Sequence, residues 1–419
     1  MPLSEMERLY SLPSWDGRSR FGLDTPRQLL AFFGNPQDSV AAIHVAGTNG
    51  KGSVSAMLAA MLQASGKRVG LFTSPHLSGV NERCVINGLP VEQRAFADGV
   101  GEVFTAADTL GLAPSFFEVL TVASFLEFAR AELDWMVIEV GLGGRLDATN
   151  TMLAPRATVV TSISYDHENI LGSTLQAIAQ EKAGIFRAGV PVYCGSVSNE
   201  VEVTLKQRAQ ESSSPIELLG DEMGLTTLAL SGKHQQQNAR LATRVALALE
   251  LDASDVARGL SCVRWPGRLE RLEQGGVQYL LDGAHNPDGL SALLTYLSED
   301  IVPQVTERAS IVFIIGIMAR KNWREMLRLL RNFDKQQHQS RISIVVGFTR
   351  FGEATEVSPD ELHSVYGSGE AFDHIDQALA WGANTALTDG LVVVAGSLYL
   401  IGKVRPMLTD QPFCVYKSN

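Results

Sequence analysis

The sequence predicts an α/β protein of two domains: a larger one on a mostly parallel sheet that carries a phosphate-binding loop, then a smaller α/β unit. Three observations lead there: the length, the alternation of short apolar runs with helix-like stretches, and a glycine-spaced loop after the first run. The chain has 419 residues, beyond the roughly 250–300 at which one hydrophobic core stops growing. Hydrophobic residues make up 45% and charged residues 19%, with no low-complexity tract, so the whole chain is expected to fold.

Strand-like segments recur at Val40 to Ala46, Val69 to Thr73, Trp135 to Val140, Thr158 to Ile163 and Val190 to Cys194. Continuous apolar runs separated by helical stretches imply parallel strands covered on both faces. The pattern restarts at Tyr279 to Leu281 and continues at Ile311 to Ile315, Ile342 to Val346 and Leu391 to Ala395, with helical Trp323 to Leu330 between. The linker is expected within Arg264 to Gly276, where Trp265-Pro266-Gly267 breaks a helix and Gln274-Gly275-Gly276 turns. The expected domains are 1–270 and 271–419.

His44 to Ser53 reads His-Val-Ala-Gly-Thr-Asn-Gly-Lys-Gly-Ser. Glycines let backbone N–H groups converge on a polyanion, Lys51 supplies a point charge, and the helix that follows adds the positive end of its dipole. ATP or a similar nucleotide is the expected ligand. The loop is a variant of G-x-x-x-x-G-K-[ST], because Gly52 follows Lys51 directly and the hydroxyl comes at Ser53.

Glu139 ends an apolar strand beside this loop, the expected place for a magnesium ligand, since magnesium takes hard oxygens and bridges carboxylates to phosphates. Ser74, after the second strand, offers a hydroxyl to the same metal. His167 follows another strand and would emerge at the same sheet edge as Lys51 and Glu139, although a lone histidine is more often structural. Lys182 reads equally as a surface lysine, a phosphate ligand or a modified metal ligand. Glu118, in the first turn of a helix headed by Ser115-Phe116-Phe117, is either a helix-end stabiliser or a site residue.

A net charge of −11 argues against sequence-independent nucleic-acid binding. The four cysteines, Cys84, Cys194, Cys262 and Cys414, form no C-x-x-C pair and point to reduced structural thiols. The first ten residues carry acids and no signal-like apolar stretch, and no run is long enough to span a bilayer, so a cytoplasmic protein is expected. Gly396 to Gly402 lacks the G-x-G-x-x-G spacing of a dinucleotide loop.

Taken together, Val45 to Ser53, Thr73-Ser74-Pro75-His76-Leu77, Phe116-Phe117-Glu118, Glu139 to Asn150, Asp166-His167, Glu181 to Ile185, Pro266-Gly267-Arg268 and Asp282 to Pro287 resemble the dihydrofolate synthase/folylpolyglutamate synthase family of the Mur ligase superfamily, over nearly the whole chain. The resemblance implies an N-terminal P-loop ATPase domain of Mur ligase type and a Rossmann-like C-terminal α/β domain. It further implies an ATP-dependent ligase that joins L-glutamate to dihydropteroate and to reduced folates through an acyl phosphate.

Carried over by residue, it implies that Thr48, Asn49, Gly50, Lys51, Gly52 and Ser53 hold phosphates and that Ser74, Glu139, His167 and a carbamylated Lys182 hold two magnesium ions. Asn238, Arg268, Asp282 and His285 would contact the nucleotide. Arg20, Phe21, Ser115 to Glu118 (with Phe116 and Phe117) and Leu146, Asp147 and Ala148 would line the pterin site. Lys51, Glu139, His167, Lys182 and Arg268 are thus the expected catalytic set, in a monomer without nucleic-acid or membrane partners.

The alternatives are a single-activity member of the family, a Mur-type peptidoglycan ligase, and a P-loop ATPase or small-molecule kinase. The second is not expected, because the P-loop domain starts almost at once and leaves no room for a separate UDP-binding domain before residue 40, and the third leaves the Lys182 and Asp282 to Pro287 motifs unexplained.

Overall fold

The computed structural model describes residues 4–12, 22–220, 227–304, 310–337, 342–386 and 390–417. Its strands are β1 Ala41–Ala46, β2 Val69–Phe72, β3 Cys84–Ile86, β4 Leu89–Pro90, β5 Trp135–Glu139, β6 Ala157–Val160, β7 Val192–Cys194, β8 Ile216–Leu218, β9 Glu270–Gln274, β10 Val277–Leu281, β11 Ser310–Ile315, β12 Ser343–Thr349, β13 Glu370–Phe372 and β14 Leu391–Ala395. They form two sheets, ordered β4-β3-β2-β5-β1-β6-β7-β8 and β13-β12-β11-β14-β10-β9.

In the first sheet β2, β5, β1, β6, β7 and β8 run parallel, and only β3 reverses, antiparallel to both β2 and β4. Val45 pairs with Glu139 on one side and Val159 on the other, so the chain leaves β1, β5 and β6 at one level of one edge. That edge is where open α/β sheets bind ligands. The apolar runs of β1 and β5 are buried on both faces. On one face lie the helices Lys51–Ala64, Lys233–Ala248 and Ala253–Cys262; on the other, Gln93–Leu110 and Phe116–Arg130.

The second sheet is parallel except for the β9–β10 hairpin. The second half of the expected linker is therefore ordered strand. β9 has the sequence Glu-Arg-Leu-Glu-Gln, in which only Leu272 is buried, so it reads as polar loop until its partner is known. The short strands β3, β4, β8 and β13 carry too few residues to show a period.

The last part of the chain returns to the first domain. Val415 is fully buried in the first domain's core; its N–H donates to Gly88 O at 2.9 Å and its carbonyl accepts from Arg264 at 2.8 Å. Phe413 meets Trp265 edge-on at 5.8 Å. A tail assigned to the second domain from sequence thus completes the first, and it pairs with the linker, since Val263 bridges antiparallel to Tyr416. Replacing Val415 by Asp would bury an unpaired carboxylate there and is expected to cost about 3 kcal/mol or more. Thermal unfolding with a Tm unchanged from wild type would refute this role for the tail.

Among the described residues no helix is long and apolar enough to cross a membrane.

Candidate active site

The glycine-spaced loop joins β1 to the helix Lys51–Ala64, whose N-cap, Gly50, has φ 83° and offers no side-chain cap, which leaves the first N–H groups free for an anion. Only glycine fits here: a Cβ on Gly50 would lie 2.5 Å from Asn238 Oδ1, and one on Gly47, at φ 149°, would lie 1.9 Å from Thr161 Oγ1. The loop is held from β6, with Thr48 N–H donating to Ser162 O at 2.7 Å and Asn49 N–H to Ser162 Oγ at 3.1 Å. Lys51 Nζ rests on Thr48 O at 3.2 Å. The hydroxyl of Ser53 accepts from Gln235 Nε2 at 3.1 Å, so it is tied to the helix Lys233–Ala248.

Glu139, 4% exposed, accepts from Ser74 N–H at 3.0 Å. Burial raises its pKa; Lys51, the Ser74 amide, Arg268 and Arg83 act the other way. Lys182, also 4% exposed, donates to Gly47 O at 2.7 Å and so reaches under the phosphate loop. Burial, helped by Lys51, pushes its pKa down to about 7. His167 sits at φ 53°, in the left-handed region that is uncommon for a non-glycine residue and recurs at functional sites. Burial, with Lys321 next, brings its pKa down to about 4.

The second domain closes the site through side chains that strand patterns do not reveal. Lys321, in the loop after β11, places Nζ 2.8 Å from Asp166 Oδ1 and 3.4 Å from His167 Nε2. Burial works against ionisation of Asp166, but Lys321, His167 and His285 hold its carboxyl well below the usual range. Asn286 donates to Asn49 Oδ1 at 3.0 Å, and Asn49 donates to Asp288 Oδ2 at 2.7 Å. Arg268 stands in the linker with no side-chain hydrogen bond among the described residues; its charge acts on both Glu139 and Asp282.

These groups line one cavity of about 490 Å³ between the domains, which takes in Thr48 to Ser53, Ser74, Glu139, His167, Lys182, Asn238, Arg268, Asp282 and His285. Asp282 gives both carboxylate oxygens to backbone amides, those of Leu269 and Ala284, each at 2.9 Å. His285 turns Nδ1 to Gly283 O at 2.8 Å.

The expected pterin residues fall outside that cavity's lining. Ser115 and Glu118 form a capping box, Glu118 accepting from Ser115 N and Oγ at 2.7 Å, which is the helix-end role. Asp147 is buried and accepts from Leu142 N–H at 2.8 Å and Thr149 Oγ1 at 2.6 Å, so its carboxylate shapes the glycine loop. Ala148 is buried and Leu146 half-buried. Phe116 and Phe117 are partly buried against the first domain's core. Arg20 and Phe21 lie outside the described residues.

The sequence reading missed Lys321, Gln235, Asn286 and Asp288.

The model of the Mur ligase middle domain matches residues 45–216, and that of the dihydrofolate synthetase C-terminal domain matches residues 267–408. The chain is 32% identical to the dihydrofolate synthase/folylpolyglutamate synthase of Bacillus subtilis, over 94% of this chain and 98% of that protein. It belongs to that family. Another member, the folylpolyglutamate synthase of Lacticaseibacillus casei, is 32% identical over 91% of this chain and 92% of its own.

Among solved members of the family, the structure of E. coli FolC in complex with DHPP and ADP superposes with a TM-score of 0.83 at 26% identity, covering 97% of this chain and 99% of that one. The Mycobacterium tuberculosis folylpolyglutamate synthase complexed with ADP gives 0.83 at 28%, over 98% and 99%. The fold is that of the Mur ligases.

Proposed function

We propose that this chain is an ATP-dependent ligase that joins L-glutamate to dihydropteroate and to reduced folates. The observation that carries the reading is one cavity in which a phosphate loop, an acidic strand tip and the linker arginine face a second domain's loops, in a chain of this family.

A carboxylate does not condense with an amine in water, because the oxygen that must leave is a poor leaving group. Phosphorylation supplies a better one. A carboxylate oxygen of the acceptor attacks the γ-phosphorus, the bond to the β–γ bridging oxygen breaks and ADP departs. The uncharged amine of glutamate then attacks the acyl carbon, phosphate leaves, and the nitrogen gives up a proton.

The first step brings several anions together. The N–H groups of Gly50 to Gly52 and the Lys51 ammonium would hold the β- and γ-phosphates, and Arg268 would balance charge from the linker side; positioning and neutralisation are the main terms in phosphoryl transfer. The Lys321–Asp166 ion pair and the Asn49–Asn286 hydrogen bond would keep the second domain shut over the acyl phosphate and exclude water.

Among the described residues no three acidic, histidine or cysteine side chains gather into a metal site. The donor set instead fits an ion carried in on phosphate oxygens, with the Glu139 carboxylate and Ser74 hydroxyl as hard ligands. Ser74, Glu139 and His167, with a modified Lys182, would hold magnesium, which supplies neutralisation of the phosphate charge when bound.

The test is ADP release by purified protein with magnesium ATP, with and without glutamate, using 7,8-dihydropteroate and tetrahydrofolate in parallel. Glutamate-dependent release with both acceptors is expected. Release without glutamate would instead favour an ATPase or kinase, and turnover with one acceptor would reduce the assignment to a single activity.

A further inference from the structure

Arg83 is a buried cation with no carboxylate in ion-pair contact among the described residues. It ends the turn Val80–Arg83 and is 6% exposed. Its Nε donates to Nδ1 of His76 at 3.0 Å, and a ring nitrogen that accepts from a guanidinium carries no proton, so this partner is neutral. The guanidinium carbon stands 5.5 Å over the ring of Phe116.

The adjacent acid cannot serve Arg83, because the Glu82 carboxylate accepts from the N–H groups of Leu77 at 2.7 Å, Ser78 at 3.1 Å and Gly79 at 3.0 Å. The other groups whose charge reaches Arg83 are Tyr399, Glu139 and Tyr10, none in ion-pair contact among the described residues. Both Nη groups are left without a hydrogen-bond partner there.

Burying an unpaired charge is costly unless something neutralises it. The location says what that is. His76 lines a crevice with Ser74, Glu139, Arg268 and Leu398, which shares those last four residues with the main cavity. The helix that begins at Leu398 brings Tyr399 of the second domain toward Arg83. Through His76 and Tyr399 the guanidinium therefore stands behind the crevice where the two domains meet, on the side of the proposed magnesium ligands Ser74 and Glu139. Glutamate brings two carboxylates to this site and reacts through its amine, and a planar fork with two free nitrogens matches a carboxylate with two parallel hydrogen bonds.

We propose that Arg83, oriented by His76 and Phe116, binds a glutamyl carboxylate of the substrates. This rests on the ligase reading above. The same chemistry has two sources, the incoming L-glutamate and the glutamyl tail already on a reduced folate, and dihydropteroate, which has no tail, separates them.

The experiment is steady-state kinetics of full-length R83Q and R83K with 7,8-dihydropteroate and with tetrahydrofolate, each substrate and ATP varied in turn. Loss of a buried charge pair corresponds to a rise on the order of 30-fold or more in KM for the ligand. For R83Q that rise is expected in KM for glutamate with both acceptors, smaller for R83K, while KM for ATP stays within about twofold of wild type. If instead only KM for tetrahydrofolate rises, the tail is the anion bound and the carboxylate role still stands.

The proposal falls if KM for glutamate and for both acceptors is unchanged, or if kcat alone drops, as a merely structural role would give. Absence of any glutamate-dependent turnover by the wild type overturns the ligase assignment, and the proposal with it, and is recognised before any variant is made.

Discussion

Replacing Glu139 by Gln is expected to lower glutamate-dependent ADP release by a factor on the order of 10²–10³, while the protein becomes no less stable. The side chain is buried at the tip of β5, accepts one hydrogen bond from Ser74 N–H, and has no ion-pair partner among the described residues. Burial raises its pKa. A carboxyl whose pKa is higher folded than unfolded binds more protons in the folded state, so its contribution to stability is present below the unfolded pKa and is lost as pH rises through the folded one.

A buried, ionised Glu139 is thus a cost that the fold bears for the sake of the site. Gln keeps the shape and the hydrogen bond from Ser74 but removes the charge, so the Tm at neutral pH should hold or rise as activity falls. ADP should still bind in the presence of a chelator, with the added affinity that magnesium brings reduced. A variant that loses stability and activity together would show that Glu139 is there to hold β5 to the Ser74 loop.

How much of this was legible depends on whether a residue's role is local. β1 and β5 are continuous apolar runs, so burial on both faces and a parallel sheet followed from sequence, and with them the placement of Lys51, Glu139 and His167 at one edge. The phosphate loop was legible because its glycines answer local backbone demands, φ 83° at Gly50 and φ 149° at Gly47.

Residues whose role comes from distant partners were not legible. Lys321 lies between Arg320 and Asn322 and looks like a surface lysine; only the approach of two domains puts it on Asp166. Arg83 follows Glu82, which reads as an exposed charge pair, whereas the fold turns the acid onto three amides and the base inward. Val415 sits in a short tail without periodicity and is buried only because the tail returns to β1's domain. Glu118 shows the converse, for the helix-end reading made from Ser115 and Glu118 is the geometry found.

Lys182 carries the other large effect: its replacement by Arg is expected to lower turnover by about 10²–10³-fold, although Arg keeps the positive charge. The ammonium is buried against Gly47 O and within the field of Lys51, and burial first, then Lys51, brings the pKa down to about 7. Two cations under one phosphate loop are a poor arrangement unless one of them changes sign.

Reaction with carbon dioxide does that. The neutral amine attacks the carbon, the new N–C bond forms, one proton leaves, and the side chain becomes an anion with two oxygens, a suitable magnesium ligand. Arg has no comparable free amine. Because only the unprotonated lysine reacts, carbamate content should rise as pH increases through about 7 and fall below it. The measurement is carbon-13 NMR of protein equilibrated with labelled bicarbonate on either side of that pH, alongside activity in buffer stripped of carbon dioxide. A lysine-bound carbamate signal that tracks activity is expected. Full activity in the Arg variant, or no such signal in active protein, would leave Lys182 as a cation that braces the phosphate loop through Gly47.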